Sequence, residues 1–246
     1  MENEQSIYRR DSDAAILFVH GILGTPEHFK RFIKLIPNDW TVRNLTLKGH
    51  CGTAKDFSAA SMAVWKLQVS EALCELRSMG KKIYIVAHSM GTLFALQEAG
   101  EASVEALFLL DVPLKVRITA RLVKTCWQVF RNKTGAGERW VMAAKKAYSI
   151  APDNNIFHYI GWIPRYAELF SEIRKTRKKI KKLQTPCYVY LSAKDEMVSP
   201  KTAVLLKDKT NAIVKMLRES GHFYYESRDE KMLLKDFQEF IICSAH

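Results

Sequence analysis

No stretch of this sequence is apolar for long enough to cross a bilayer, which takes roughly 18 uninterrupted hydrophobic residues; hydrophobic residues (48%) and charged residues (26%) are interleaved along all 246 positions. An apolar leader core is also missing. The opening MENEQSIYRRDSD is polar and charged, which predicts a cytoplasmic chain whose thiols stay reduced. Cysteine is sparse and unpatterned: Cys51, Cys74, Cys126, Cys187 and Cys243 are odd in number and form no C-x-x-C pair. That excludes a regular disulfide framework or a zinc ribbon and predicts free thiols, with Cys74 and Cys187 packed as small hydrophobes in apolar periodic segments. Internal repeats, low-complexity tracts and recognised RNA- or DNA-binding motifs are absent as well.

What is present is a large positive charge, and its placement says more than its size. The net charge is +12, yet the stretch from Pro113 to Leu183 holds seventeen Lys or Arg against four Asp or Glu, a net of +13. The remainder carries 21 basic and 22 acidic residues, or −1, so the chain is a near-neutral body with one basic segment. A basic nucleic-acid binder would need a motif to go with the charge, and none is visible.

The first half alternates short buried-type runs with amphipathic stretches, the pattern of strands joined by crossover helices in a mostly parallel sheet. Strands are predicted at Ala14 to Val19, Trp40 to Leu47, Lys82 to Ala87, Ala106 to Leu110, Tyr188 to Ser192 and Ile213 to Leu217. Helices are predicted from about Glu27 to Leu35, Ser58 to Ser78, Thr92 to Ala99 and Lys231 to Ile242; the second has Met62, Trp65, Val69, Leu73 and Leu76 at three-to-four spacing. Residues 113–183 break this rhythm. They are helical in periodicity, contain Trp127, Trp140 and Trp162, and are interrupted by loops at Thr134 to Gly137 and Ala151 to Asn155. This predicts an inserted helical cap over a core formed by residues 1–112 and 184–246.

The chemistry is concentrated at strand ends. Ala87-His88-Ser89-Met90-Gly91 sits between a buried strand and a helix and fits the nucleophile elbow G-x-S-x-G, with Ala at its first position. Small residues two before and two after the serine are required because the turn is too tight for larger ones. Such a turn lifts the hydroxyl clear of the sheet, and the helix N-terminus beneath it favours developing negative charge. A serine hydroxyl needs a base, and the base needs a carboxylate to fix its tautomer. Where a serine occupies this elbow, its partners follow in the order acid, histidine. His222, in the loop Glu219-Ser220-Gly221-His222-Phe223 after the last strand, is the base candidate, since His246 is the terminal residue. Asp195, after the penultimate strand, is the preferred acid; Asp111, at the end of Ala106 to Leu110, is its rival, and Glu196 reads as a solvated neighbour. The backbone amides of Ile22, in the turn His20-Gly21-Ile22-Leu23-Gly24, and of Met90 are the candidate oxyanion donors. His20 and His50 read as loop-stabilising hydrogen-bonding residues, and His28, His88 and His158 receive no role.

In these stations, together with Gly49-His50-Cys51-Gly52 and Asp195-Glu196-Met197-Val198, the sequence resembles the α/β-hydrolase superfamily, in its carboxylesterase and monoacylglycerol-lipase-like (serine aminopeptidase S33-like) branch. The stations fall in order across nearly the whole chain. The resemblance implies a Ser89, Asp195, His222 triad, an acyl-enzyme intermediate, no metal or organic cofactor, and a helical cap over an apolar acyl pocket. Two positions depart from it: Ala87 stands where the family has glycine, and Cys51 where it commonly runs Gly-His-Gly. The expected activity is hydrolysis of carboxylic esters with small to medium apolar acyl groups. A second reading is a monoacylglycerol lipase or lysophospholipase that meets anionic membranes through Arg174 to Lys182, a stretch preceded by Tyr166, Leu169, Phe170 and Ile173 at helical spacing. Against it stands a helix packed on the sheet by that apolar stripe, its basic face simply solvated. From another class, a non-catalytic ligand- or nucleic-acid-binding protein is the third reading.

Overall fold

The computed structural model describes residues 5–9, 12–99, 104–117, 119–120, 122, 124, 139–150, 153, 155–208, 210 and 212–244. Within them a seven-stranded sheet has the order β1-β3-β2-β4-β5-β6-β7. Strand β1 (Gln5–Ile7) runs antiparallel to β3 (Thr41–Asn44), and every other neighbouring pair is parallel. The interior strands β2 (Ala14–Val19), β4 (Lys82–His88), β5 (Ala106–Leu110) and β6 (Cys187–Ser192) are nearly continuous apolar runs because helices cover both faces. Strand β7 (Ile213–Leu217) closes the far edge, where Ile213 is half exposed. An α/β-hydrolase-type sheet is therefore present as the residue pattern predicts.

One face carries α2 (Ala54–Ala59), α3 (Met62–Ser78) and α4 (Met90–Ala99), whose Phe57, Trp65, Val69, Leu73 and Phe94 join Leu17, Ile85 and Leu109 of the sheet in one core. The other carries the short α1 (Lys30–Ile33) and α8 (Ser227–Ser244). There Phe108 stacks on Tyr190 at 4.8 Å and meets Phe237 and Phe240 at 5.2 and 5.4 Å. Aromatic pairs of this kind each add about 1 kcal/mol beyond the area they bury. Between β5 and β6 the chain forms α5 (Arg139–Ala147) and α6 (Trp162–Lys179); the short α7 (Thr202–Lys207) lies between β6 and β7.

Several boundaries differ from the sequence reading. The polar start supplies β1, an edge strand anchored by Arg43, which donates to Ser6 Oγ at 2.6 Å. The helix read from Ser58 to Ser78 is two, broken at Ala60 and Ser61, where Ser61 Oγ accepts the Val64 amide and caps α3. The helix read from Glu27 to Leu35 is a 3₁₀ turn at Pro26–Phe29 followed by α1. Cys74 lies exposed on α3 rather than packed, whereas Cys187 is buried and its thiol is pushed up to about 12 by burial. Trp127, Cys126, His246 and the loop at Thr134 to Gly137 lie outside the described residues. Among the described residues no helix is long and apolar enough to cross a membrane.

Helix α6 packs chiefly on other helices. It lies against α4, α3 and α2, and its buried face combines Ile173 with Glu172 and Thr176. Gln97 of α4 donates to Glu172 Oε2 at 3.0 Å and to Thr176 Oγ1 at 2.9 Å, and Lys66 Nζ donates to Gln97 Oε1 at 2.9 Å. Phe170 is outside that face and 45% exposed, so the apolar stripe read from the sequence splits in two.

Candidate active site

Strand β4 ends at His88, and Ser89 makes the turn into α4 with φ 50°, a left-handed conformation that L-residues with a Cβ adopt only under strain. The turn is held by the Ser89 amide, which donates to Leu110 O at 2.9 Å, and by Thr92, whose hydroxyl donates to Ser89 O at 2.6 Å. Two glycines make room for it. A Cβ on Gly91 would lie 2.3 Å from Val19 O, and one on Gly21 would lie 2.8 Å from the Ser89 Cβ. Ala87 is buried within β4 and its methyl is accommodated there.

The loops after β6 and β7 bring the other side chains to this hydroxyl. His222 Nε2 is 3.0 Å from Ser89 Oγ, and His222 Nδ1 is 2.6 Å from Asp195 Oδ2. With Nδ1–H donating to the carboxylate, Nε2 is left to accept the serine proton. Asp195 Oδ1 accepts the amides of Met197 and Val198, both at 2.6 Å, which fixes the carboxylate plane. Ser89, His222 and Asp195 are 6%, 1% and 1% exposed. Burial pulls the His222 ring down, but the charge and hydrogen bond of Asp195, with Asp111 and Glu196 behind them, outweigh it and raise the ring to about 9.

Asp111, the rival acid, is also close but differently employed. It takes a left-handed φ of 51°, accepts the Ser192 amide at 2.7 Å and the Ser192 hydroxyl at 3.1 Å, and lies 4.0 Å from His88 Nε2. Burial, reinforced by the neighbouring Asp195 charge, pushes its carboxyl well above the usual range. His88, Asp111 and His222 present ligand-type atoms within 4.8 Å of one another, but both ring nitrogens of His222 are already engaged by Ser89 and Asp195. Glu196 is not a solvated neighbour: it is 4% exposed, its carboxyl raised chiefly by burial, and its Oε2 faces the His222 amide at 3.4 Å. The loop folds back onto β7's exit, which is why a polar residue there ends up inside.

The turn after β2 is clamped by two histidines in the same Nδ1–H tautomer. His20 Nε2 accepts the Leu47 amide at 3.1 Å and its Nδ1–H donates to Gly21 O at 2.9 Å. His50 Nε2 accepts the Leu23 amide at 3.1 Å and its Nδ1–H donates to Leu47 O at 3.1 Å. Burial holds His20 at about 4 and His50 well below the usual histidine value, so both stay neutral and keep this arrangement. Among the described residues no protein acceptor takes the amide hydrogen of Ile22 or Met90. His88, to which the sequence assigned nothing, donates from Nε2 to the His222 carbonyl at 3.0 Å and stacks on His28 at 4.0 Å. Its position inside the elbow motif, facing the sheet's last loop, is the signal that could have found it.

Cys51 has φ 61°, the conformation for which glycine is the unstrained residue. Cys51→Gly is therefore expected to leave activity in place and to raise stability by up to about 1 kcal/mol; Cys51→Ala is expected to give no such gain. Thermal melting of the two variants side by side checks this.

Known proteins resemble the chain over its full length. It is 21% identical over 246 residues to the thermostable monoacylglycerol lipase of Bacillus sp. (strain H-257), covering 98% of this chain and 95% of that one. Among solved structures, one of two metagenome-derived lipolytic enzymes superposes with a TM-score of 0.73 at 17% identity, over 97% of each chain. The monoacylglycerol lipase of Paleococcus ferrophilus does so with a TM-score of 0.71 at 15% identity, over 100% of both. A profile of the alpha/beta hydrolase family matches residues 16–233, and with that span, this sheet and this elbow the chain belongs to the alpha/beta hydrolase family.

Proposed function

We propose that the protein is a serine hydrolase that cleaves carboxylic esters of small to medium apolar acyl groups through an acyl-enzyme on Ser89. The observation that carries this is the continuous run from Ser89 Oγ to His222 at 3.0 Å and on to Asp195 at 2.6 Å. His222 takes the serine proton as Oγ attacks the acyl carbon. The amides of Ile22 and Met90 receive the oxyanion, and His222 then hands the proton to the leaving oxygen. Water repeats the sequence on the acyl-enzyme. Residues 113–183 act as the cap over a core of residues 1–112 and 184–246. Two contacts support that role: the Ser149 amide donates to Leu23 O at 2.8 Å, and Tyr148 packs on Phe223 at 5.5 Å. The apolar side chains of Leu23 and Ile150, each packed against the core, support an apolar acyl group. A non-catalytic binder would have no use for a strained serine against a paired histidine.

A series of p-nitrophenyl esters tests the reading, with kcat/KM expected to peak at short to medium acyl chains; a flat absence of turnover at every length would remove it. Because the base must be unprotonated and Asp195 raises His222 to about 9, kcat/KM is expected to climb from neutral pH through about 9. A profile already level at pH near 6.5, the ordinary histidine value, would contradict this.

A second reading has its own support: a monoacylglycerol lipase or lysophospholipase that docks on anionic membranes. Phe157 and Ile163 are 73% and 69% exposed, and with Ile160 and Phe170 they give the start of α6 an apolar outer flank. Exposed Arg174, Lys178, Lys179, Lys181 and Lys182 continue it without an exposed acid. Apolar contact followed by cations suits an anionic lipid surface. Sedimentation with liposomes is expected to show binding that needs anionic lipid and weakens in Ile163→Ser/Phe170→Ser; binding indifferent to lipid charge would exclude this mode.

A further inference from the structure

Beside the triad lies a cleft of about 350 Å³ whose walls come from three places: Thr25 after the oxyanion turn, Phe223 next to His222, and Lys146 of α5 above. We infer that this cleft receives the leaving group of the substrate, and that the leaving group carries a phosphate. The inference rests on the ester-hydrolase reading and names the substrate class of that same site.

The position follows from where the proton goes. When the tetrahedral adduct on Ser89 collapses, the bond from the acyl carbon to the leaving oxygen or sulfur breaks. The proton that His222 took from Ser89 Oγ passes to that atom, so alcohol or thiol departs on the His222 side. Water then attacks the acyl carbon, its proton goes to His222, and the acid and free Ser89 are restored. Phe223, which forms the cleft wall, packs edge-on against the His222 ring at 4.7 Å. Tyr225, also in the wall, approaches His28 Nε2 at 3.3 Å, and His28 in turn stacks on His88. The cleft therefore adjoins the His222 loop, through the wall that Phe223 and Tyr225 form.

The chemistry follows from its charge. Lys30, Arg31, Lys34 and Lys146 border it against a single acid, Glu27. Lys30 is paired with Glu27 at 2.8 Å, and Arg31 with Glu230. Lys34 and Lys146 meet no acidic partner among the described residues and are exposed at the rim, one from the core and one from the cap segment. A recess with aromatic walls and two uncompensated cations focuses its field on an anion inside. Two cationic donors on one cleft, Lys34 from the core and Lys146 from α5, suit a phosphomonoester, which offers several acceptor oxygens, better than a single carboxylate or a neutral polyol.

Matched substrates separate the sources of such a group. Hexanoyl glycerol would be compared with its phosphomonoester, and hexanoyl pantetheine with its phosphomonoester, in the native protein and in Lys34→Glu/Lys146→Glu. In at least one pair kcat/KM is expected to favour the phosphorylated member by about tenfold or more at low salt, the ratio shrinking as salt rises. The double variant is expected to reduce that ratio to near one, while charge reversal at the remote Lys235 leaves it in place. Preference in the glycerol pair alone identifies a lysophospholipid-type alcohol; preference in the pantetheine pair alone identifies an acyl-carrier-type thiol. Equal rates within both pairs, or a ratio untouched by the double variant, overturn the inference and leave the ester-hydrolase reading standing. If no member of either pair nor any p-nitrophenyl ester is turned over, both fall together.

Discussion

Ser89→Ala is expected to lower kcat for ester hydrolysis by about a millionfold, the loss seen when a serine protease of the same constellation is stripped of its nucleophile. The size follows from what remains. Without Oγ no acyl-enzyme forms, His222 has no proton to accept from the chain, and only the oxyanion amides and substrate binding are left to act on water, a residue of catalysis of about 10³- to 10⁴-fold. Folding should survive, because the turn is held by backbone groups and Thr92 rather than by the serine hydroxyl. Losing the melting transition together with activity would signal a structural role instead, so both are measured on the same sample.

Asp195→Asn is expected to cost about 10⁴-fold in kcat. The amide carbonyl can keep the bonds from Met197 and Val198, which leaves its NH₂ facing His222 Nδ1. That donor forces the imidazole proton onto Nε2, the wrong tautomer for receiving the proton of Ser89. The charge that raises His222 is gone as well, so the pH midpoint is expected to fall from about 9 toward the ordinary histidine value. Asp111→Asn separates the two acids. Its carboxyl accepts from Ser192 and lies outside the run from Asp195 through His222 to Ser89, so an amide at that place should cost far less, within about tenfold. A larger loss at Asp111 than at Asp195 would reassign the acid.

Much of this was legible because it is written in local pattern. Runs such as Ile83 to Ala87 and Leu107 to Leu110 are buried on both faces, and a parallel sheet demands that composition. The elbow serine, the loop histidine and the loop carboxylate are each placed by the strand that precedes them, so their order in the chain becomes proximity in space. What escaped the sequence depends on partners far along it. Gln5–Ile7 has no strand pattern of its own and pairs only because β3 offers an edge. Glu196 reads as a surface acid until the fold closes the His222 loop over it. Phe170 reads as core until α4, rather than the sheet, sets which flank of α6 is covered. Asp195 is preferred to Asp111 in the sequence because the apolar Val112-Pro113 after Asp111 leads toward the cap; in the fold His222 Nδ1 meets Asp195 at 2.6 Å while Ser192 occupies Asp111.

Ser89 as an activated nucleophile is open to direct test. Mass spectrometry of the protein after reaction with a fluorophosphonate probes it most directly. One adduct is expected, on the peptide containing Ser89, lost in Ser89→Ala and formed far more slowly in Asp195→Asn. An adduct on another residue, or full esterase activity in a protein whose Ser89 stays unlabelled, would contradict it.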